Sequence, residues 1–267
     1  MPANIELIAT DLDGTLLHTS HDISPANMAA MSAAVAGGIT ICIATGRSHA
    51  SASQFARRLG LDESLIISYN GAMIRRCNDD EPMFHTTVPA DSAKAVVRHC
   101  LAKRWCLQYF INDSYYVTHI SRWGRLYLAR TGDIPIPVGD LRRFDGQTPT
   151  KLLIAADPAV IASTFPREQQ LWQPELFVTH SMPEYIEYLN PNATKGKALA
   201  WLCRYLNISP ENTMAIGDQL NDLPMLQQAA IAVAMPSACE QVRAEADYVP
   251  NSDRDGVAEA LKHYLDL

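Results

Sequence analysis

Asp11 and Asp13 lie two residues apart in the run Asp11-Leu12-Asp13-Gly14-Thr15. Two ionised carboxylates aimed at one point repel; a divalent cation relieves that conflict and lets the pair take different roles. Gly14 permits a tight turn that a side chain would obstruct. An EF-hand calcium loop needs an oxygen ligand at its fifth position and glycine at its sixth. Here those positions hold Thr15 and Leu16, so that reading fails. Thr45-Gly46-Arg47 places a hydroxyl and a backbone amide ahead of a helix, which suits an anion; an ordinary helix cap at Thr45 is the plainer alternative. Thr194-Lys195-Gly196-Lys197 also opens a helix. A cation is mildly disfavoured at that end of the helix dipole, so Lys195, more than Lys197, is a candidate for neutralising phosphate oxygens. In Gly217-Asp218-Gln219-Leu220-Asn221-Asp222, two carboxylates four residues apart can face one site as the chain enters a helix. These are hard oxygen donors without His or Cys, which favours Mg²⁺ over Zn²⁺.

Each segment has an element behind it. Residues 5–10, 39–44, 65–68, 214–216 and 231–234 are short apolar runs that predict buried parallel strands. Ser24-Pro25 starts a helix that Gly37-Gly38 stops; 48–59, 195–206, 223–229 and the stretch from Gly256 predict further helices. Strand alternating with helix is the pattern of a doubly wound parallel sheet, whose ligands bind at the carboxyl ends of its strands. Between residues 72 and 188 the rhythm changes. Short strands at 73–76, 83–88, 107–111, 115–117, 151–155 and 185–189 mix with helices, and Asn78-Asp79-Asp80 and Asn112-Asp113 read as hairpin turns. The expected fold is an α/β, Rossmann-like core formed by residues 1–82 and 188–267, carrying an α+β domain inserted at 83–187.

The five ordered motifs are Asp11 to Thr15, Thr45-Gly46-Arg47, Asn70-Gly71, Lys195-Gly196 and Gly217 to Asp222. Together they resemble the haloacid dehalogenase superfamily, specifically its Cof-like group with a type IIB cap, over essentially the whole chain. Gln219 stands where that group often has a small residue, and Pro224 sits in a helix's first turn, where proline is tolerated. The resemblance implies a Mg²⁺-dependent phosphatase in which Asp11 forms an aspartyl-phosphate and Asp13 is the general acid and base. It implies that Asp11, the Asp13 backbone carbonyl and Asp218 hold the metal, with Asp222 in or near its outer coordination sphere. It further implies that Leu12 and Gly46 (through their amides), Thr45 and Lys195 hold the phosphoryl oxygens. Asn221 would orient Lys195 or the phosphate, and Asn70 would meet the substrate. The inserted domain would read the leaving group; Trp105, Tyr109, Tyr115, Tyr116, Arg122, Trp123 and Arg125 are candidate readers, most of them better explained as that domain's own core or solvated face. His18 and His21, in the flap after Asp13, read as solvated loop residues.

Composition narrows the partners. The net charge is −7, with 22 basic against 29 acidic residues, which argues against an extended nucleic-acid or membrane surface. The acidic surplus avoids the insertion: residues 83–187 carry 11 basic against 10 acidic side chains, the flanks 11 against 19. That suits a metal-binding part interrupted by a different one. No signal peptide or membrane span is expected. The six scattered cysteines suit a reducing, cytoplasmic location. The expected partner is a small phosphorylated metabolite: a sugar phosphate, a phosphorylated cofactor or a nucleotide. A phosphomutase or phosphotransferase of the same fold, and a non-catalytic phosphate-sensing module, are the competing readings. The sequence leaves oligomeric state open.

Overall fold

The computed structural model of the chain describes residues 4–17 and 22–265, so His18 and His21 lie outside the described residues. The chain divides into two compact units, Met1–Met83 with Thr194–Leu267, and Phe84–Ala193. In the first unit, β1 (Leu7–Thr10) is buried throughout, as expected of a parallel strand covered on both faces. α1 (Pro25–Ala36) follows; the Ser24 hydroxyl accepts from the Asn27 amide at 3.1 Å and Pro25 takes the first helical position. β2 (Thr40–Ala44) pairs parallel with β1, α2 (His49–Arg58) starts from a Ser48 cap, and β3 (Leu65–Ser68) pairs parallel with β2. A 3-10 turn, Tyr69–Gly71, reverses the chain into β4 (Met73–Arg76), antiparallel to β3.

The second unit runs β5 (Phe84–His85), α3 (Ala90–Ala102), β6 (Cys106–Ile111), β7 (Ser114–Val117), α4 (Arg122–Thr131), β8 (Pro135–Pro137), β9 (Lys151–Ala155), α5 (Pro158–Trp172), β10 (Phe177–Thr179) and β11 (Tyr185–Leu189). Its sheet has the order β10-β11-β9-β6-β7-β8 and is antiparallel except between β7 and β8. Asn112 and Asp113 both have positive φ (53° and 54°), which is what a two-residue hairpin turn between β6 and β7 demands. One face, with Leu107, Tyr109, Leu152, Ile154 and Tyr188, packs on Val96, Val97 and Cys100 of α3 and Ile161 of α5. The alternate positions include Gln108, Lys151 and Glu187, all buried; Lys151 Nζ and Glu187 Oε2 form an ion pair at 2.8 Å.

The chain re-enters the first unit at α6 (Lys195–Leu206), then β12 (Thr213–Gly217), α7 (Leu223–Leu226), β13 (Ile231–Ala234), α8 (Glu240–Ala244) and α9 (Gly256–Tyr264). β12 pairs parallel with the free side of β1, giving the neighbour order β13-β12-β1-β2-β3-β4. The direction of winding therefore reverses between β1 and β12, and the crevice beyond their carboxyl ends is where such a sheet binds ligands.

The elements differ from the sequence reading in several places, and α8 (Glu240–Ala244) is one that it did not contain. Only Phe84–His85 of the expected strand at 83–88 is extended in a ladder. α7 closes after four residues, although the amides of 227–229 still bond back to Leu223 and Met225. β8 and β10 were not expected; both are three-residue strands at the two edges of their sheet, where the prolines of β8 are tolerated. Among the described residues no helix is long and apolar enough to cross a membrane, and all six thiols are free.

Candidate active site

Asp11 leaves the end of β1, and its amide still bonds to Ile216 O of β12 at 2.9 Å. Its carboxylate is buried, 5% exposed. Lys195, the first residue of α6 and wholly buried, reaches it: Nζ lies 2.6 Å from Asp11 Oδ1 and 2.5 Å from Asp222 Oδ1. The other Asp222 oxygen accepts from the amides of Asp218 and Gln219, both at 2.9 Å. Asp222 thereby folds the turn after β12 and grips Lys195 at the same time. Asp218 accepts from the Thr15 hydroxyl and from the Gln219 amide group, each at 2.9 Å. Gly14 has φ +87°, and a Cβ there would lie 2.4 Å from Asp218 Oδ2. Both the backbone conformation and the close approach require glycine. At Gly196 a Cβ would meet Pro224 O at 2.1 Å, so the residue after Lys195 must be small for α6 to pack against α7.

Asp13 points elsewhere. Both its oxygens accept from Arg47: Nη2 to Oδ1 at 2.6 Å and Nε to Oδ2 at 2.7 Å, with Nη1 donating to Ser51 Oγ at 3.1 Å. The guanidinium is only 4% exposed and lies over the Phe55 ring. The Thr45-Gly46-Arg47 loop is fastened to the turn after β3, since Asn70 N donates to Thr45 O and Tyr69 N to Arg47 O, both at 2.9 Å. Tyr69 and Asn70 both have positive φ, 50° and 56°, a conformation non-glycine residues adopt at a cost when surroundings dictate it. Part of that dictation comes from Asn221, whose Nδ2 donates to Asn70 Oδ1 at 2.9 Å. Asn221, expected to orient Lys195 or the phosphate, makes this bond to Asn70 with its amide nitrogen. Leu12 is buried directly after Asp11, and its carbonyl accepts from the amides of Thr15 and Leu17.

One oxygen from each of Asp11, Asp218 and Asp222 lies within 4.8 Å of the others. With Lys195 as the counter-charge in contact, ionising all three leaves a surplus of two negative charges. The titration behaviour follows. Burial, reinforced by Asp222, Asp218 and Asp13 and opposed by Lys195, pushes Asp11 well above the usual carboxylate range. Burial, with Asp222, raises Asp218 to about 7 against the hydrogen bonds from Gln219 and Thr15. Burial alone would lower Lys195, but Asp11 and Asp222 outweigh it and hold the ammonium above the ordinary lysine range. A buried, oxygen-only, over-negative cluster is chemically suited to a hard divalent cation.

The structure therefore brings Asp11, Asp218, Asp222 and Lys195 together, holds Thr45 and Asn70 on adjoining loops, and sets Asp13 on Arg47. Three contributors had no assigned role in the sequence reading: Arg47, Thr15 and Gln219. All three lie inside the quoted motifs, which is the available signal. The partners of Thr15 and Arg47, 203 and 34 residues away in the chain, are not readable.

A family model described as haloacid dehalogenase-like hydrolase matches residues 8–261. The chain is 30% identical to a 5-amino-6-(5-phospho-D-ribitylamino)uracil phosphatase, YcsE, of Bacillus subtilis (strain 168), covering 98% of this chain and 96% of that one. It is 29% identical to the HMP-PP phosphatase of Cronobacter sakazakii, over 97% and 95% of the two chains. The solved structure of the subclass IIB sugar phosphatase BT4131 superposes with a TM-score of 0.84 at 27% identity, over 97% of this chain and 98% of that one.

Proposed function

The chain belongs to the haloacid dehalogenase-like hydrolases, and from that premise we propose that it is a Mg²⁺-dependent phosphatase hydrolysing a small phosphorylated metabolite through an aspartyl-phosphate on Asp11. The observation that carries this reading is the buried Asp11–Lys195–Asp222 contact beside Asp218 at the carboxyl ends of β1 and β12. A nucleophilic carboxylate must approach a phosphoryl group that is itself anionic. Lys195 offsets that repulsion and stays protonated while doing so. Mg²⁺, held by Asp11, Asp218 and the Asp13 carbonyl, would supply further neutralisation of the phosphoryl oxygens. Asp222 acts by fixing Lys195 and the turn that presents Asp218, because its Oδ2 already accepts two amide hydrogen bonds.

In the first half-reaction an Asp11 oxygen forms a bond to phosphorus as the bond to the leaving oxygen breaks, and Asp13 gives that oxygen a proton. In the second, Asp13 takes a proton from water, whose oxygen bonds to phosphorus while the Asp11 acyl phosphate breaks. With both Asp13 oxygens on Arg47, carrying a proton requires the carboxyl to give up at least one of those contacts. Arg47 is therefore a positioning residue that holds Asp13 between steps. Thr45, the Leu12 and Gly46 amides and Lys195 are assigned to the phosphoryl oxygens, and Asn70, braced by Asn221, to the substrate. The second unit, Phe84–Ala193, is assigned the reading of the leaving group, and a cytoplasmic location is supported by the free thiols. The relatives' substrates, a ribitylaminouracil phosphate, HMP-PP and sugar phosphates, support the metabolite class.

The test is release of inorganic phosphate from p-nitrophenyl phosphate and a metabolite panel, without a sugar acceptor. Mg²⁺ should be required, EDTA should abolish turnover, and Asp11→Asn should be inactive yet folded. Turnover only with a sugar acceptor, a preference for Zn²⁺, or an active Asp11→Asn would refute the reading.

A further inference from the structure

Each carboxylate oxygen of the buried Asp218 already accepts a hydrogen bond from a side chain. Thr15 Oγ1 donates to Oδ1 and Gln219 Nε2 to Oδ2, both at 2.9 Å. Thr15 stands in the loop after β1 and Gln219 in the turn after β12, so separate segments fix the two ends of the carboxylate. The oxygens are not equivalent. A Cβ at Gly14 would lie 2.4 Å from Oδ2 and 3.1 Å from Oδ1. Oδ2 is thus both occupied by the Gln219 amide and crowded by Gly14, and Oδ1 has more room. The turn itself does not depend on the Gln219 side chain, because the backbone amide of that residue donates to Asp222 Oδ2 at 2.9 Å.

We propose that Gln219 is a positioning residue that restricts Asp218 to a one-oxygen grip on a bound cation, and so biases the site toward a small octahedral ion such as Mg²⁺ and against Ca²⁺. The inference rests on the reading of Asp11 and Asp218 as metal ligands. Mg²⁺ takes about six ligands at about 2.0–2.1 Å, several of them water, and needs only one oxygen from each carboxylate. Ca²⁺ takes about 6–8 ligands at about 2.3–2.6 Å and gains when a carboxylate turns both oxygens to it. An ionised carboxylate has about four lone-pair sites; here the two side-chain donors take one on each oxygen. To chelate through both, Ca²⁺ must deflect the Gln219 amide and reach Oδ2 past Gly14. Mg²⁺ on one oxygen loses nothing. Asp222 offers Ca²⁺ no substitute chelate, since its Oδ2 accepts two amides and its Oδ1 holds Lys195. An alanine at 219 would leave Oδ2 without a side-chain donor. Loss of a hydrogen-bond partner behind a metal ligand changes affinity by about 10–100-fold, which sets the scale of the test.

Mg²⁺ and Ca²⁺ are titrated by calorimetry into the EDTA-stripped, full-length wild type, Gln219→Ala and Gln219→Met. The methionine keeps the side chain's length and lacks the donor. The ratio of the Ca²⁺ to the Mg²⁺ dissociation constant should fall about tenfold in Gln219→Ala and in the same direction in Gln219→Met. A merely structural role would weaken both ions alike. Crystals soaked in Ca²⁺ should show one Asp218 oxygen on the ion in the wild type and both in Gln219→Ala, within about 2.6 Å. An unchanged ratio, or both ions shifted by the same factor, would overturn the proposal and leave the metal reading standing. So would a wild-type crystal in which both Asp218 oxygens hold Ca²⁺, a result that needs no variant. Failure of either ion to bind the wild type would overturn the metal reading and the proposal with it.

Discussion

Raising the pH should weaken the metal-free protein and strengthen its hold on Mg²⁺, and Asp218 contributes a definite part of both effects. Its carboxyl titrates near 7 in the folded protein, against 3.8 for the unperturbed group. Between those values the folded state keeps a proton that the unfolded chain has released, so stability falls as pH rises through the window. Above about 7 the penalty is complete. Three units at about 1.4 kcal/mol each make it about 4 kcal/mol, and Asp218 is 4% exposed, so solvent screening removes little of it. A cation between the carboxylates favours their charged forms and must displace that proton to bind. Mg²⁺ affinity should thus climb with pH, about tenfold or more for each unit below 7, as Asp218 and the likewise raised Asp11 give up their protons. Calorimetry in buffers of different ionisation enthalpy should count at least one proton released per Mg²⁺ near pH 6, from Asp218 and from Asp11, whose carboxyl burial also raises. Denaturant unfolding in EDTA supplies the other half. The wild type should lose about 4 kcal/mol more than Asp218→Asn between pH 4 and 8, since the asparagine cannot titrate. A Mg²⁺ affinity that is flat from pH 5.5 to 8, or identical pH–stability slopes in wild type and variant, would refute the reasoning.

Two substitutions probe the geometry around that carboxylate and its neighbour. Gly14→Ala drives a Cβ to 2.4 Å from Asp218 Oδ2 at a backbone φ of +87°; it should cost about 1–3 kcal/mol of stability and weaken Mg²⁺ binding, both read by calorimetry, and unchanged Mg²⁺ affinity would count against Asp218 as a ligand. Arg47→Lys keeps the charge but loses the two-point hold on Asp13; kcat should fall about 10–100-fold with KM little changed and the pH–rate profile displaced, whereas a proportionate loss of folded protein with an unaltered profile would mean Arg47 is only structural.

The positions of Asp11, Thr45 and Asp218 were legible because each ends a buried apolar run, and parallel strands deliver such residues to one edge of a sheet. Lys195 was legible as a cation at a helix start, where only a nearby negative charge makes it comfortable. Arg47's grip on Asp13 and Asn221's on Asn70 were not, because hydrogen bonds between loops depend on side-chain directions that no local pattern encodes. The same limit hid β8 and β10. Three-residue edge strands, one of them Pro-Ile-Pro, carry too little periodicity to register and form only because a neighbouring strand supplies the ladder.

The covalent role of Asp11 is the centre of the account, and a single turnover stopped by rapid acid quench tests it most directly. Peptide mass spectrometry of the wild-type protein should find one phosphoryl group on the peptide containing Asp11 before phosphate appears in solution, and none in Asp11→Asn. Phosphate released at full rate with Asp11 never modified would contradict it.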